Sequence, residues 1–239
     1  LLQKRSEPAP LATKEITLPE YAEHEVGMIP QLAARFETAA QLPGAEYLAK
    51  LRYLILPIRE ADAVPEPLRC KTLLELPRAA FGTVEPDTMR RLAALEGSGF
   101  AGVVANNLAQ FGYASPLPVF GGLGLNVTNP MSAAEYVCLG ACGLLVQPET
   151  ALTAMRAVAP RQKDGTPVPT AALCYGHLPL MLTRACPLRN VRTSCAGCTH
   201  KGKLRDRKGR DFPVRCSAPG SAGMRTVFNP VPLYMGDRL

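Results

Sequence analysis

Continuous apolar runs, separated by stretches long enough for helices, dominate the chain from residue 31 to residue 174. A strand that is covered on both faces has such a run, whereas a half-exposed strand alternates apolar and polar residues. The runs therefore predict strands of a parallel sheet, with a crossover after each strand. The predicted strands span 31–36, 52–58, 71–76, 100–105, 118–126, 143–146 and 168–174, and the predicted helices span 39–51, 86–96, 132–139 and 150–158.

This alternation predicts an α/β fold with a (β/α)-barrel, similar to a TIM barrel but incomplete or irregular, and a cysteine-rich C-terminal loop segment. A doubly wound open sheet is the alternative. The apolar tail 227–235 is the candidate for an eighth strand. We expect residues 1–30 to be a linker from a missing upstream region and residues 31–183 to form the barrel. Residues 184–239 then hold the cysteine segment and the closing strand of the same domain.

Polar residues follow several predicted strands, and parallel barrels carry their chemistry at that end. Amide and carboxylate groups there suit the hydrogen bonding of a polar ligand. Two of these residues also have structural interpretations: a lone His is often a hydrogen-bonded structural group, and a Glu that precedes a helix is favoured by the helix dipole. The candidate catalytic residues are Asn126, Asn129, Glu149, Tyr175 and His177.

Composition limits the class of protein. Hydrophobic residues make up 47% of the 239 residues and charged residues 20%, which excludes a disordered chain. No apolar run reaches the roughly 18 residues of a membrane span, so we expect no membrane association. The chain starts at Leu1 without a methionine or an export signal, so we expect a cytoplasmic fragment of a longer parent chain with other domains.

The positive charge is concentrated in residues 184–216. This segment has ten Lys and Arg against two acids, a net charge of +8, so the total of +7 leaves −1 for all other residues. Such a patch attracts polyanions, RNA among them, although a solvated surface loop is an equal alternative. The candidate RNA-binding residues are Arg184, Arg189, Arg192, Lys201, Lys203, Arg205, Arg207, Lys208 and Arg210.

The eight cysteines fall into two groups. Cys70, Cys138, Cys142 and Cys174 have apolar neighbours, which predicts core packing. The other four, Cys186, Cys195, Cys198 and Cys216, share the basic segment and include one C-x-x-C pair. Four such thiolates can close a tetrahedral zinc site or hold an iron–sulfur cluster. Disulfides, or thiols with no shared role, are the alternatives.

Several motifs in this half of the chain resemble one known family. They are Tyr175-Gly176-His177-Leu178-Pro179-Leu180-Met181, Cys186-Pro187-Leu188, the C-x-x-C pair, and the run from Leu204 to Cys216, with Gly124–Asn129 and Gln147–Glu149 upstream. Together they resemble the collagenase-like peptidase family of unassigned catalytic type, U-32. The resemblance extends over residues 31–237. His177 stands where the family motif is expected to have Arg.

The resemblance implies a (β/α)-barrel and one of two activities. Some members are labelled collagenase-like peptidases, and others are oxygen-independent hydroxylases of RNA bases or of a quinone precursor. It implies a [4Fe–4S] cluster on Cys186, Cys195, Cys198 and Cys216, with structural zinc as the alternative. We expect RNA-base hydroxylation at the barrel mouth with a small oxygen donor, because the basic segment, the cluster site and the polar mouth fit it together. The lack of H-E-x-x-H and G-x-S-x-G disfavours a peptidase. The alternatives are a peptidase and a non-catalytic, metal-stapled binding domain.

Overall fold

A parallel sheet forms the first part of the computed structural model, which describes residues 30–113, 116–189, 195–196, 198–217 and 223–237. Within those residues its strands lie side by side in chain order and curl into a half-barrel. This order confirms barrel-like architecture, since a doubly wound sheet reverses its strand order. The strands are β1 (Leu32–Arg35), β2 (Leu51–Pro57), β3 (Thr72–Glu75), β4 (Gly102–Ala105), β5 (Val119–Gly121), β6 (Ala141–Val146) and β7 (Thr170–Ala172).

The helices lie in the connections between these strands, and no described helix has the length and apolar character that crossing a membrane requires. The predicted helix 39–51 is wrong: a 3-10 turn (Ala39–Gln41) and a short helix stand on either side of Pro43-Gly44. The other predicted helices are present with shifted ends. The helices are α1 (Ala45–Leu48), α2 (Glu66–Arg69), α3 (Val84–Ala94), α4 (Gln110–Tyr113), α5 (Pro130–Cys138) and α6 (Leu152–Ala157).

Two buried apolar clusters stabilise the half-barrel. One is built around Leu56, Leu74 and Val103, and the other around Val127 and Val146, all at most 2% exposed. All of these side chains except Val127 come from the continuous runs that predicted the strands. The apolar runs therefore indicated much of the core.

The core placement predicted for three cysteines is wrong. Cys70, Cys138 and Cys142 are exposed, and Cys174 is half-buried. Cys70 follows α2 and Cys138 ends α5, where the chain turns before the next strand. Cys142 lies at a position of β6 that alternates with buried neighbours. Apolar neighbours in the sequence do not bury a residue at the end of an element.

A four-stranded antiparallel sheet follows the half-barrel. Its order is β10 (Lys201–Arg205), β11 (Asp211–Cys216), β12 (Arg225–Phe228) and β9 (Pro179–Thr183). A separate ribbon pairs β8 (Tyr175–Gly176) with β13 (Leu233–Tyr234). The tail therefore forms antiparallel strands and is not the eighth parallel strand that was expected.

The hairpin of β10 and β11 occupies much of the segment that was expected to be a loop. Its turn is closed by Asp206, whose Oδ1 accepts hydrogen bonds from the backbone N of Lys208 and of Arg210, both at 2.8 Å. Gly209 takes a φ of 77°, which residues with a Cβ rarely adopt. The sequence Asp-Arg-Lys-Gly indicates such a turn, but the hairpin was not predicted because its strands are charged and not apolar.

Candidate functional site

A cavity of about 610 Å³ lies between the carboxyl ends of β1 to β3 and one face of the antiparallel sheet. On the half-barrel side it is lined by Arg35, Glu37 and Glu75, among others. On the other side it is lined by Leu182, Arg215, Cys216, Thr226 and Phe228. The carboxyl ends of parallel strands are where barrel enzymes bind their substrates, so this cavity is the candidate site.

Arg35 connects two carboxylates at the cavity wall. Its Nε donates to Glu75 Oε2 and its Nη1 donates to Glu37 Oε1, each at 2.7 Å. Arg59 adds a contact of 3.5 Å from its Nη2 to Glu37 Oε2. Burial alone would raise the pKa of Glu37, but Arg35 and Arg59 outweigh that effect and hold its pKa below the ordinary value. Glu37 is therefore an anion at neutral pH.

Two further arginines stand on opposite walls of the cavity. Arg78 follows β3, and burial lowers the pKa of its guanidinium despite the attraction of Glu75. Arg215 lies on β11, and its Nη1 donates to the carbonyl of Val214 at 3.1 Å. Within the described residues neither side chain forms a salt bridge. Both are available to an anionic group of a ligand.

The four cysteines of the basic segment lie toward one end of the antiparallel sheet. β9 ends there shortly before Cys186, and β11 ends there at Cys216. β10 begins there, shortly after Cys195 and Cys198. The backbone N of Cys216 donates to the carbonyl of His200 at 2.9 Å, which joins two of these chain segments. The topology thus brings together residues that are far apart in the sequence.

The C-x-x-C turn is held by backbone hydrogen bonds. The backbone N of Cys198 donates to the carbonyl of Cys195 at 3.1 Å, which closes the turn. His200 takes a φ of 59°, and its backbone N donates to the Sγ of Cys198 at 3.4 Å.

A buried arginine adjoins the same end of the sheet. Arg225 is the cross-strand neighbour of Cys216 and of Thr183, and only 4% of it is exposed. Its Nη1 donates to the carbonyls of Arg184 and Gly223, both at 2.6 Å. This guanidinium places a positive charge beside the cysteines. Within the described part of the chain, however, no three His, Cys, Asp or Glu side chains stand close enough to form a metal-binding group.

The candidate catalytic residues of the sequence analysis lie along the carboxyl edge but do not line the cavity. Asn126 accepts a hydrogen bond from Gln147 Nε2 at 2.6 Å, and its φ is 52°. Asn129 is the N-cap of α5: its Oδ1 accepts from the backbone N of Ser132 at 2.9 Å. Glu149 follows β6 in the stretch before α6.

The remaining two candidates belong to the chain around the β8–β13 ribbon. Tyr175 is 67% exposed. The Nδ1 of His177 lies 2.7 Å from the backbone carbonyl of Asn229, a contact that a structural histidine makes. These five residues are therefore spread over the carboxyl edge and are not gathered into one constellation.

The predicted RNA-binding residues divide by position. Lys201, Lys203 and Arg205 are exposed on β10, while Arg207, Lys208 and Arg210 lie around the hairpin turn. Lys201 pairs with Arg215, which pairs with Thr226, so this row of side chains shares the face of the sheet that borders the cavity.

Two of the remaining basic residues lie beside the cysteines. Arg184 stacks its guanidinium over the ring of Phe81 at 5.0 Å, which ties the antiparallel sheet to the loop after β3. Arg189 donates from its backbone N to the carbonyl of Cys186. Arg192 lies outside the described residues.

The sequence analysis did not select the charged residues that line the cavity, among them Arg35, Arg59, Glu75 and Arg78. A signal was present: Arg35 and Glu75 are the last residues of otherwise apolar strands. A charge at that position lies at the carboxyl edge of the sheet, where a ligand can contact it. The sequence had no such signal for the cavity residues on β11, because their position at the cavity depends on how the two sheets pack.

Comparisons with known proteins give one structural similarity. No model of a known protein family matches the chain, and no curated protein does. Among solved structures, the chain is similar to one described as a U32 peptidase, with 12% sequence identity and a TM-score of 0.45 over 66% of this chain and 73% of that chain. The family in that description is the one that the sequence motifs resemble.

Proposed function

We propose that this chain is an iron–sulfur-dependent domain that hydroxylates a base of RNA in the cavity. The observation that carries the proposal is that Arg215 and Cys216 line the same cavity as the carboxyl ends of β1 to β3. A redox group on the cysteines would therefore adjoin a substrate bound at the mouth of the half-barrel. Such a reaction replaces a C–H bond of the base with C–OH, and a small oxygen donor gives up one oxygen atom and is reduced.

The cavity residues bind and orient the substrates in this proposal. Arg78 and Arg215 offer guanidinium groups to a phosphate of RNA or to an anionic group of the oxygen donor. Glu37 and Glu75 are held in place by Arg35 and accept hydrogen bonds from the amino groups of a base. The substrate base must be unpaired or flipped out of a stack, since a paired base cannot enter the cavity.

The four cysteines have the chemistry of a four-thiolate site, but no three of them stand close enough in the described residues to share a metal, so binding would have to bring them together. Cys186, Cys195, Cys198 and Cys216 would then hold a [4Fe–4S] cluster, which supplies one-electron redox chemistry when bound. The hydrogen bond from the backbone of His200 to Cys198 and the buried Arg225 lie at the same end of the sheet. One zinc ion on the same thiolates is the structural alternative. We further propose a cytoplasmic location, where thiols stay reduced.

RNA binding is tested by the salt dependence of affinity for a single-stranded RNA oligonucleotide. Each phosphate contact contributes about 0.7 to the slope of log K against log salt for single strands. Replacing Arg207, Lys208 and Arg210 with Ala should therefore lower the slope by up to about 2. A matched triple variant of Arg90, Arg156 and Lys163, which are exposed and lie outside the cavity lining, should leave the slope unchanged. An equal loss in both variants would contradict the assignment.

The two alternative functions predict different results. A peptidase would hydrolyse gelatin without any requirement for the four cysteines. A metal-stapled binding domain would bind RNA but keep its affinity and specificity when Arg78 and Arg215 are both replaced with Met. RNA binding that depends on the cavity arginines, together with no gelatin hydrolysis, is the result that we expect.

A further inference from the structure

Two exposed tyrosines stand opposite each other on the ribbon of β8 and β13. Tyr175 pairs with Tyr234 in antiparallel register, and they are 67% and 66% exposed. Directly paired residues project from the same face of a ribbon, with Cβ atoms about 5 Å apart. Among the described residues, neither ring belongs to an aromatic ring pair. Much of the surface of both rings is therefore open to a flat ligand.

The ribbon is firmly attached to the antiparallel sheet through Asn229. The backbone N of Asn229 donates to the carbonyl of Leu178 at 2.9 Å, and its Oδ1 accepts from the backbone N of Leu178 at 2.7 Å. Its Nδ2 donates to the carbonyl of Val231 at 2.5 Å. These bonds fix the chain after β8 against the chain before β13, so binding would order little backbone.

Gly236 leaves room for the ring of Tyr234. A Cβ at this position would lie 2.9 Å from the tyrosine oxygen and 3.0 Å from two ring carbons. The Tyr234 ring therefore lies directly against the backbone of Gly236, which limits its rotation. An ordered ring loses less conformational entropy when a ligand stacks on it.

The basic hairpin turn lies at the same end of the antiparallel sheet as this ribbon. β10 ends and β11 begins at the turn, and β9 begins and β12 ends beside the ribbon. The two strand pairs are neighbours in the sheet, so the turn and the ribbon lie at the same end of it. Positive charge beside exposed aromatic rings is the combination that binds single-stranded nucleic acid.

We propose that Tyr175 and Tyr234 form a stacking site for unpaired bases of single-stranded RNA, with the RNA phosphates on the hairpin turn. This inference rests on the proposed function in one respect, that the ligand is RNA. It assigns to Tyr175 a role in substrate binding outside the cavity. The surface would hold the strand that flanks the base undergoing reaction.

The test compares two fluorescent probes of equal length and charge. One is a twelve-nucleotide oligoadenylate, and the other is the same ribose-phosphate chain without bases. The full chain should bind oligoadenylate more tightly, since stacking on an aromatic ring contributes enough to change affinity by about 5- to 150-fold per base. Replacing Tyr175 and Tyr234 with Ala should abolish this preference and leave the affinity for the abasic probe unchanged.

Two variants serve as controls. Tyr175→Phe with Tyr234→Phe keeps the rings and should keep the preference. Tyr47→Ala removes another exposed tyrosine, on α1, and should change neither affinity. Equal binding of both probes by the unmodified chain would overturn the stacking site but leave RNA binding intact. Binding of neither probe would overturn both the stacking site and the proposed function, and a preference that survives the double Ala variant would overturn the stacking site.

Discussion

Arg35 determines the charge state of the cavity wall. It donates to Glu37 and to Glu75, so it offsets two carboxylates that would otherwise repel each other. The pKa of Glu37 is held below its ordinary value, mainly because Arg35 outweighs the effect of burial. The pKa of Arg35 is itself raised, since the two carboxylates outweigh the burial that would lower it. A single side chain therefore positions both acids and keeps Glu37 ionised.

Replacing Arg35 with Met should destabilise the fold more at neutral pH than at acidic pH, when the variant is compared with the natural chain at the same pH. Because the folded pKa of Glu37 lies below the unfolded value of about 4.3, its ionisation stabilises the fold above that pH. This contribution is lost as the pH falls through the folded pKa. We expect a loss of about 1 kcal/mol at pH 7, as for partly exposed ion pairs.

Urea unfolding from pH 3 to pH 7 measures this difference. Arg90→Met, which removes an exposed ion pair with Asp87 on α3, is the matched control and should have almost no effect. A loss of stability for the Arg35 variant that is the same at pH 3 and pH 7 would show that packing, and not the ion pairs, is responsible.

Arg225 is the residue on which the cysteine end of the antiparallel sheet most depends. Replacing it with Met removes the donor to the carbonyls of Arg184 and Gly223 and leaves both without that partner. We expect a loss of about 3 kcal/mol in the free energy of unfolding, as for hydrogen bonds to a charged group. We also expect reduced iron content after anaerobic purification. Arg156→Met on α6 is the control, and equal iron in both variants would contradict the role of Arg225.

At the scale of elements, the apolar strands were predictable because burial on both faces leaves a continuous run. Each strand of the half-barrel overlaps a predicted one, but β5 ends at Gly121, well before the predicted end. The run continues beyond β5 because Leu123 and Leu125 are apolar, although they form a 3-10 turn. Periodicity cannot separate a strand from an apolar turn. The glycines in this stretch were the signal of a turn, because glycine is needed where the backbone closely approaches another chain segment.

The turn after β5 requires glycine at position 124. A Cβ there would lie 2.1 Å from the carbonyl oxygen of Asn106, which is backbone and cannot move aside. Gly124 also donates from its backbone N to Asn106 Oδ1 at 3.1 Å. Gly124→Ala should therefore lower the free energy of unfolding by about 1–3 kcal/mol, as overpacking does. Gly44→Ala has open space around it and is the control in thermal unfolding. Equal midpoints for the two variants would contradict the close approach.

The β10–β11 hairpin was hard to predict because its residues are charged and not apolar. Asp211 pairs with Lys203 at 2.5 Å and with Arg205 at 2.7 Å, and these bonds hold the pKa of Asp211 well below its ordinary value. Two of the predicted RNA-binding residues are thus engaged with a carboxylate on the neighbouring strand. The charge of Lys203 and Arg205 is therefore partly neutralised within the hairpin.

Asp211→Asn should increase the affinity for RNA. It removes a negative charge and releases Lys203 and Arg205 to contact phosphates, so the salt dependence should also become steeper. Binding of the twelve-nucleotide probe over a range of KCl concentrations measures both effects. Asp164→Asn, which removes an exposed carboxylate that caps a separate turn, should change neither quantity. Unchanged or weaker binding by the Asp211 variant would contradict an RNA contact on β10.

At the scale of the whole molecule, the cavity exists because the antiparallel sheet lies over the carboxyl edge of the half-barrel. Residues from β1 and β11, at opposite ends of the chain, face each other across it. No local pattern predicts such packing, and so the sequence did not indicate that residues of these two walls meet. The same packing puts Cys216, one of the four cysteines of the basic segment, on the wall of the candidate cavity.

The central claim, that these cysteines hold an iron–sulfur cluster, is tested most directly by iron, sulfide and zinc analysis after anaerobic purification. We predict about four irons and four sulfides per chain, the composition of a [4Fe–4S] cluster. Cys195→Ser with Cys198→Ser should lose them, and Cys138→Ser with Cys142→Ser, which changes two exposed thiols elsewhere, should keep them. One zinc without iron, or neither metal, would contradict the claim.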